Sequence, residues 1–123
     1  MTTEPVMQVV PSDEPYETRE FEKGRFELFR VGPTTLGRAT YEPGWRWSES
    51  VAPIAGTPSC QVHHNGYCVS GRMQVRMDDG GEREVGPGDV FVIPPGHDAW
   101  VVGDERFVAL EFESRAAEDY ARS

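Results

Sequence analysis

The chain has 123 residues, of which 12 are Lys or Arg and 21 are Asp or Glu, so its formal net charge is −9. That length suits one ordinary domain with one core. The negative charge repels phosphate backbones and argues against nucleic acid as a partner. No apolar run approaches the roughly 18 residues that a membrane span needs, so no membrane partner is expected. Two cysteines and no visible secretory signal predict reduced thiols and a cytoplasmic location.

The two ends of the chain differ in composition from its middle. Residues 1–24 carry six acidic residues and three prolines, which predicts an acidic N-terminal arm or tail. It is either mobile or lies across the domain or a neighbouring subunit, and Val6–Val10 has enough β-forming residues to add an edge strand. Residues 114–123 are predicted to form a short C-terminal tail. The domain itself is therefore expected to span residues 25–113.

Short β-forming segments separated by Gly and Pro turns fill this domain. The clearest signal is a hairpin of residues 73–77 and 82–85, because the Asp-Asp-Gly-Gly between them tolerates the positive φ of tight turns. Residues 48–59, rich in Ser, Pro, Gly and Thr, are expected to form a loop. No long segment has helical periodicity, so the sequence predicts a single all-β domain in which a double sheet or a barrel closes the core. The other predicted strands are 26–31, 34–41, 67–71, 90–93, 100–102 and 106–112.

The run from Gly86 to Gly96 resembles the second motif of the cupin family. Gly88, Pro94 and Gly96 match its spaced glycines and proline, and Asp89 follows the first of these glycines, as it often does in cupins. The resemblance implies a cupin-type double-stranded β-helix, which is a jelly-roll barrel, usually dimeric, with a site in the mouth of the barrel.

The first cupin motif is matched at its ends but not at its metal ligands. Pro43-Gly44 resembles its start and Tyr67–Gly71 its end, so that the resemblance covers roughly residues 34–112. Counting from Gly44, the positions of the family's two histidines hold Ser50 and Ala52, which cannot replace imidazoles. Counting back from the closing glycine, the position of the family's glutamate holds His64.

The second motif shows a similar change, because Ala99 stands where the family places its histidine and His97 lies two residues earlier. The two motifs are neighbours around the mouth in the cupin fold, so the resemblance implies that His64 and His97 converge there. His63 or Cys60 is the predicted third group. A divalent metal is therefore the expected cofactor. A thiolate among the ligands favours Zn²⁺, while imidazole with water or carboxylate also suits Fe²⁺, Ni²⁺, Cu²⁺ or Mn²⁺.

Four aromatic residues lie near the two motifs: Trp45, Trp47, Tyr67 and Trp100. They are either part of the barrel core or the wall of a ligand pocket, in which the indole N–H groups orient a flat ligand. The sequence has no phosphate-binding glycine loop, so no nucleotide cofactor is expected.

These features predict a small homodimeric cupin that binds a divalent metal and a small organic ligand. Three other interpretations stay open. The first is a metal-free cupin that binds or senses a ligand, and the second is an isomerase that uses His64 or His97 as a general acid or base. The third is a structural or partner-binding cupin whose altered ligands mean a lost site. The sequence does not say whether the chain is an enzyme, and it assigns no catalytic residue.

Overall fold

A computed structural model of the chain describes residues 6–112 and 119–121. The described residues are mostly strands. No helix among them is both long and apolar enough to cross a membrane. In chain order the elements are β1 (Glu17–Phe21), β2 (Gly24–Val31), β3 (Thr34–Tyr41), α1 (Trp47–Ser50), α2 (Ala52–Ala55), β4 (His64–Ser70), β5 (Arg72–Met77), β6 (Glu82–Val85), β7 (Val90–Ile93), β8 (His97–Val102) and β9 (Phe107–Phe112).

The strands form two antiparallel sheets that enclose one hydrophobic core. The larger sheet has the strand order β1-β2-β3-β9-β4-β7, and the smaller has the order β6-β5-β8. Side chains alternate between core and solvent along most strands, as in β8, where every second residue is buried. The all-β fold predicted from the sequence is confirmed.

Several strands have the bounds that turn chemistry predicts. β3 and β7 begin and end where expected, and the Asp-Gly hairpin is present with β5 one residue longer than predicted. β8 begins three residues earlier than expected, at His97, because its pairing with β5 continues to the pair Met77–His97. A further bridge joins Cys60 to His97. His97 is therefore held by the backbone on both sides.

The predicted loop at 48–59 contains short helical turns instead. α1 and α2 follow directly after Trp45, and the amide of Val51 donates to the carbonyl oxygen of Trp47 at 2.9 Å. Pro53 lies in the first turn of α2, where its missing N–H costs nothing, and Gly56 ends that helix with a positive φ of 75°. These turns bring Trp47 under the barrel mouth.

Both ends of the chain contribute to the barrel. β1 and the start of β2 lie inside the segment predicted as an N-terminal arm or tail, whereas Val6–Val10 forms no strand. Arg19 on β1 is buried and donates from its guanidinium to the carbonyl oxygen of Tyr120 at 2.8 Å. Tyr120 is itself only 2% exposed, although it belongs to the predicted C-terminal tail. The other residues of that tail, apart from 119 and 121, and the predicted boundary at 113 lie outside the described residues.

Gly66 allows β4 and β9 to approach closely next to the site. It is paired with Phe91 on one side and Glu111 on the other. A Cβ atom at this position would clash with the carbonyl oxygen of Leu110 and lie 3.0 Å from Cζ of Phe91. Only a glycine fits between these two neighbours.

Candidate metal centre

The core of the barrel mouth brings together one thiol and two imidazoles. Ligand atoms of Cys60, His64 and His97 all lie within 4.8 Å of one another, and all three residues are buried. The ring centroids of His64 and His97 are 5.3 Å apart. His64 opens β4 and points inward, while the backbone amide of Cys60 donates to the carbonyl oxygen of His97 at 2.7 Å. The structure thus places His64 and His97 side by side, as the sequence predicted.

Of the two residues predicted as the third group of the site, Cys60 belongs to the cluster. His63 is half-buried and does not belong to the cluster. Neighbouring residues of an extended chain point to opposite sides, so the inward direction of His64 turns His63 away. Cys60 reaches the cluster because its bridge to His97 folds the segment before β4 across the mouth.

Each imidazole is oriented through its Nδ1 atom. His64 Nδ1 donates to Oε1 of Glu111 at 2.6 Å, and His97 Nδ1 donates to the carbonyl oxygen of Pro94 at 2.8 Å. A carbonyl or carboxylate oxygen only accepts, so Nδ1 carries the proton in both rings. Nε2 of each ring is therefore available to bind an ion. Metal-binding histidines in proteins show this same arrangement of a second oxygen partner behind the ring.

Cys60 and His64 each stabilise the charged form of the other. Burial raises the pKa of the Cys60 thiol, but hydrogen bonds and positive charge from His64 and His97 outweigh it and lower that pKa to about 6. Burial lowers the pKa of His64, yet the charge of Glu111 and the contact with Cys60 raise it to about 10. Without an ion, Cys60 and His64 therefore form a thiolate–imidazolium pair at neutral pH, with Sγ 3.5 Å from Nε2.

Two residues of the site were not predicted from the sequence. Glu111 is 4% exposed on β9, where alternation places it on the same face as Phe107 and Ala109. That alternation is the signal by which it could have been found. The ring of Tyr120 lies edge-on to His64, with centroids 5.0 Å apart, and its hydroxyl contacts that of Tyr41 at 2.8 Å.

A narrow inner cavity of about 20 Å³ adjoins the cluster. This volume holds one or two water molecules or a group of similar size. Of the predicted pocket residues, Trp45 and Trp47 line the cavity, but Tyr67 and Trp100 do not. Tyr67 alternates with the inward Gly66 and is 39% exposed. Trp100 faces outward on β8, where the Arg46 guanidinium lies 4.3 Å from the centre of its ring. His64 and His97 of the cluster line the cavity, together with Glu111 and Tyr120.

A second, more open cleft of about 240 Å³ reaches the cluster from outside. It shares Trp47 and Tyr120 with the inner cavity, and Cys60 is part of its wall. Val51 and Val62 give it an apolar side. The thiol of the cluster therefore borders the cleft, while the two imidazoles border the inner cavity.

The donor set fits a zinc ion. In tetrahedral zinc sites, Zn–S distances of about 2.3 Å and Zn–N distances of about 2.0–2.1 Å give a sulfur-to-nitrogen separation of about 3.6 Å. The observed distance from Cys60 Sγ to His64 Nε2 is 3.5 Å. Three protein ligands are also the number found in catalytic zinc sites, which keep a fourth position for water or substrate.

Two antiparallel sheets closed around a buried His-containing site at one mouth define a double-stranded β-helix of the cupin type. The family model of the EutQ-like cupin domain matches residues 45–109, which is more than half of the chain. The chain therefore belongs to the cupin family, as its motifs suggested.

Solved structures share this fold at low sequence identity. A protein of unknown function from Rhizobium leguminosarum bv. viciae 3841 is 20% identical, with a TM-score of 0.61 over 88% of this chain and 96% of that one. KdgF from Halomonas sp. is 18% identical (TM-score 0.58, 87% and 92% covered). The polyketide cyclase RemF from Streptomyces resistomycificus is 22% identical (TM-score 0.56, 89% and 82% covered). None of the curated proteins compared with this chain matches it.

Proposed function

We propose that this cupin holds a divalent metal ion through Cys60, His64 and His97 and binds a small organic ligand beside it. One observation carries the proposal. Both histidines have Nδ1 occupied by a protein oxygen, which leaves Nε2 of each ring to bind an ion, and the ligand atoms of Cys60, His64 and His97 lie within 4.8 Å of one another in a buried cluster. A protein oxygen bound to the second nitrogen of each ring is the arrangement that metal-binding histidines show.

Zinc is the ion that this donor set favours, because a thiolate and two imidazoles suit it better than they suit magnesium or calcium. When bound, the ion supplies Lewis-acid activation of a water molecule or of an oxygen atom of the ligand. The protein's own residues have separate roles. Glu111 holds the proton on Nδ1 of His64, and Tyr120 packs edge-on against the ring of His64.

The outer cleft is the proposed site for the body of an organic ligand. Its volume of about 240 Å³ accepts a small molecule, whereas the inner cavity of about 20 Å³ accepts only a group of one to three heavy atoms. Val51, Ala55 and Val62 offer apolar contacts, and Asp119 offers a carboxylate at the rim.

A metal-free function has one observation in its favour. Cys60, His64 and Glu111 form a chain of hydrogen-bonded groups, with the thiol 3.5 Å from Nε2 and the carboxylate 2.6 Å from Nδ1. Such a chain moves a proton between the thiol and the ring, which is what general acid–base catalysis of an isomerisation needs. The metal content of the protein separates this alternative from the first.

We propose further that the chain forms a homodimer through the outer face of the larger sheet. Five apolar side chains are exposed there on three adjacent strands, from 39% for Tyr67 to 78% for Val90: Tyr67 and Val69 on β4, Val90 and Val92 on β7, and Phe112 on β9. A contiguous apolar face on a chain of net charge −9 is costly to leave in water, and a second copy presents the same face. Sedimentation of wild-type protein as a monomer at micromolar concentration contradicts this proposal.

The two free thiols also support a reducing compartment, so the proposed location is the cytoplasm.

The metal proposal is tested on purified protein loaded with zinc and dialysed. We expect one zinc ion per chain by elemental analysis. His64→Ala is expected to lose most of it, because two protein ligands rarely hold a divalent ion tightly. His63→Ala is the matched control and is expected to keep its zinc, because His63 lies outside the cluster. Zinc-free wild-type protein, or full occupancy in His64→Ala, contradicts the proposal.

A further inference from the structure

Two buried hydrogen-bond donors in the wall of the inner cavity have no acceptor. In the described part of the chain, three buried side-chain polar atoms lack a partner: Nε1 of Trp45, Nε1 of Trp47 and Oγ of Ser50. Both indoles line the cavity. Native folds leave few buried donors unsatisfied, and each one calls for a partner such as a water, an ion or a ligand.

The two indoles are held firmly in place. Trp45 is stacked on the ring of Tyr41, with centroids 3.8 Å apart and planes within 3° of parallel. Trp47 begins α1, and both indoles are 2% exposed. Stacking and burial restrict both rings, so a molecule in the cavity that both rings line is the candidate for the missing acceptor.

The chemistry of that molecule follows from the donors. An indole Nε1–H only donates, so a cation or another donor gains nothing from it. Two donors in one wall suit a group with two acceptor oxygens. The cavity volume of about 20 Å³ limits this group to about three heavy atoms.

We propose that the inner cavity binds a small oxyanion, or the carboxylate group of a small organic acid, through the indole N–H groups of Trp45 and Trp47. This anion site extends the proposed function and rests on it only for the positive charge of the proposed metal. A bound metal would offset the negative charges of Glu111 and the Cys60 thiolate and so strengthen the binding of an anion, whereas the two indole donors do not depend on the metal. An acid held in this way places its oxygen atoms next to the two imidazoles that line the same cavity.

The test uses the full chain, zinc-loaded and labelled with ¹⁵N, and formate as the probe. The chain has three tryptophans and therefore three indole N–H signals. We expect formate to shift the signals of Trp45 and Trp47 downfield with one common Kd and to leave that of Trp100 in place. Methylammonium, a cation of the same size, is expected to shift none of them. The number of indole signals that formate shifts is read on the wild-type protein, so this part of the test does not depend on the folding of a variant.

Substitutions assign the signals and measure each contribution. Trp45→Phe and Trp47→Phe keep an aromatic ring but remove the donor, and each is expected to weaken formate binding by about 10- to 100-fold. Trp100→Phe lies outside the cavity and is expected to bind formate as the wild type does. Zinc content is measured for each variant, because an unchanged content separates loss of the donor from damage to the metal cluster.

The inference is overturned if formate shifts neither cavity indole, or if both cavity variants bind formate with the wild-type affinity. If the protein binds no zinc, the proposed function fails instead, and the same titration on metal-free protein decides the inference. Formate-dependent shifts of Trp45 and Trp47 then sustain it, and their absence overturns it.

Discussion

Cys60 and Cys68 lie eight residues apart, are equally buried, and have opposite chemical character. Cys60 is 1% exposed and Cys68 is 0% exposed. The pKa of Cys60 is lowered to about 6, whereas burial and the charge of Asp89 raise the pKa of Cys68 to about 11. Cys68 donates its proton to the carbonyl oxygens of Ser70 and Gly71, both at 3.5 Å.

The difference in pKa between the two cysteines shows that burial alone does not decide the protonation state of a thiol. Burial raises the pKa in both cases. At Cys60, the two imidazoles outweigh it, because β4 and β8 bring them within reach of the sulfur. At Cys68, the negative charge of Asp89 adds to the effect of burial and raises the pKa further. Side chains that come from other strands therefore separate an acidic thiol from one that stays protonated.

The largest expected effect is on zinc binding by variants of the two cysteines. Cys60→Ala removes one of three proposed ligands and is expected to abolish stoichiometric zinc binding. Cys68→Ala leaves the cluster intact and is expected to bind one zinc ion per chain, at a cost of about 1 kcal/mol in the free energy of unfolding. Elemental analysis and urea unfolding measure both effects. Equal zinc content in the two variants would contradict the proposal that Cys60 binds zinc and Cys68 does not.

The reactivity of the two thiols toward an aromatic disulfide sharpens the comparison in metal-free protein. At pH 7 a thiol of pKa about 6 is about nine-tenths thiolate, whereas one of pKa about 11 is ionised to about one part in ten thousand. The weaker nucleophilicity of the more acidic thiol offsets part of this, so we expect Cys60 to react on the order of 50-fold faster. Cys60 is 1% exposed and lies in the wall of the outer cleft, which is the side from which the reagent would approach it.

The pH dependence of that reaction has a definite sign. Lowering the pH from 7 to 5 protonates Cys60 and is expected to slow its modification by about tenfold. Zinc is expected to protect it at both pH values. Peptide mapping by mass spectrometry identifies the modified residue, and faster labelling of Cys68 runs against the expected order.

The smallest expected effect comes from Glu111→Gln. The amide still accepts a hydrogen bond from Nδ1 of His64, but it carries no charge. We therefore expect zinc affinity to fall by about tenfold, the lower end for a residue that orients a metal ligand. The reaction of Cys60 at pH 7 should also slow, because His64 is less strongly protonated without the carboxylate. Unchanged zinc affinity in this variant shows that Glu111 has no part in the site.

The strands that could be predicted from the sequence are those set by local chemistry. Gly, Pro and Asp at the turns define the ends of β3 and β7 and the Asp-Gly hairpin, because these residues tolerate backbone angles that others avoid. Residues 48–59 were predicted as a loop from their Ser, Pro, Gly and Thr content, and helices of one turn each are too short to leave a periodic pattern. Pro53 and Gly56 were the available helix signals. The acids of the N-terminal segment hid β1, since the buried Arg19 makes its contact with Tyr120, far along the chain.

The site could be predicted only in part. The resemblance to the first cupin motif, counted back from Gly71, placed His64 at an inward position, and the second motif placed His97 near it. Trp45 and Trp47 were expected near a pocket and line the cavity, whereas Tyr67 falls on the outer face by the same alternation. Tyr120 left no local signal, because its role depends on a fold that returns it to His64.

Gly66 limits how this site can change by mutation. Its neighbour in register is Glu111, and any side chain there would push β9 away from β4. The distance that would lengthen is the 2.6 Å between Nδ1 of His64 and Glu111. Random substitution of this region should therefore recover variants at the outward Tyr67 and almost none at Gly66. The requirement for glycine at position 66 therefore restricts the sequence variation of this site as strongly as the requirement for the proposed metal-binding side chains does.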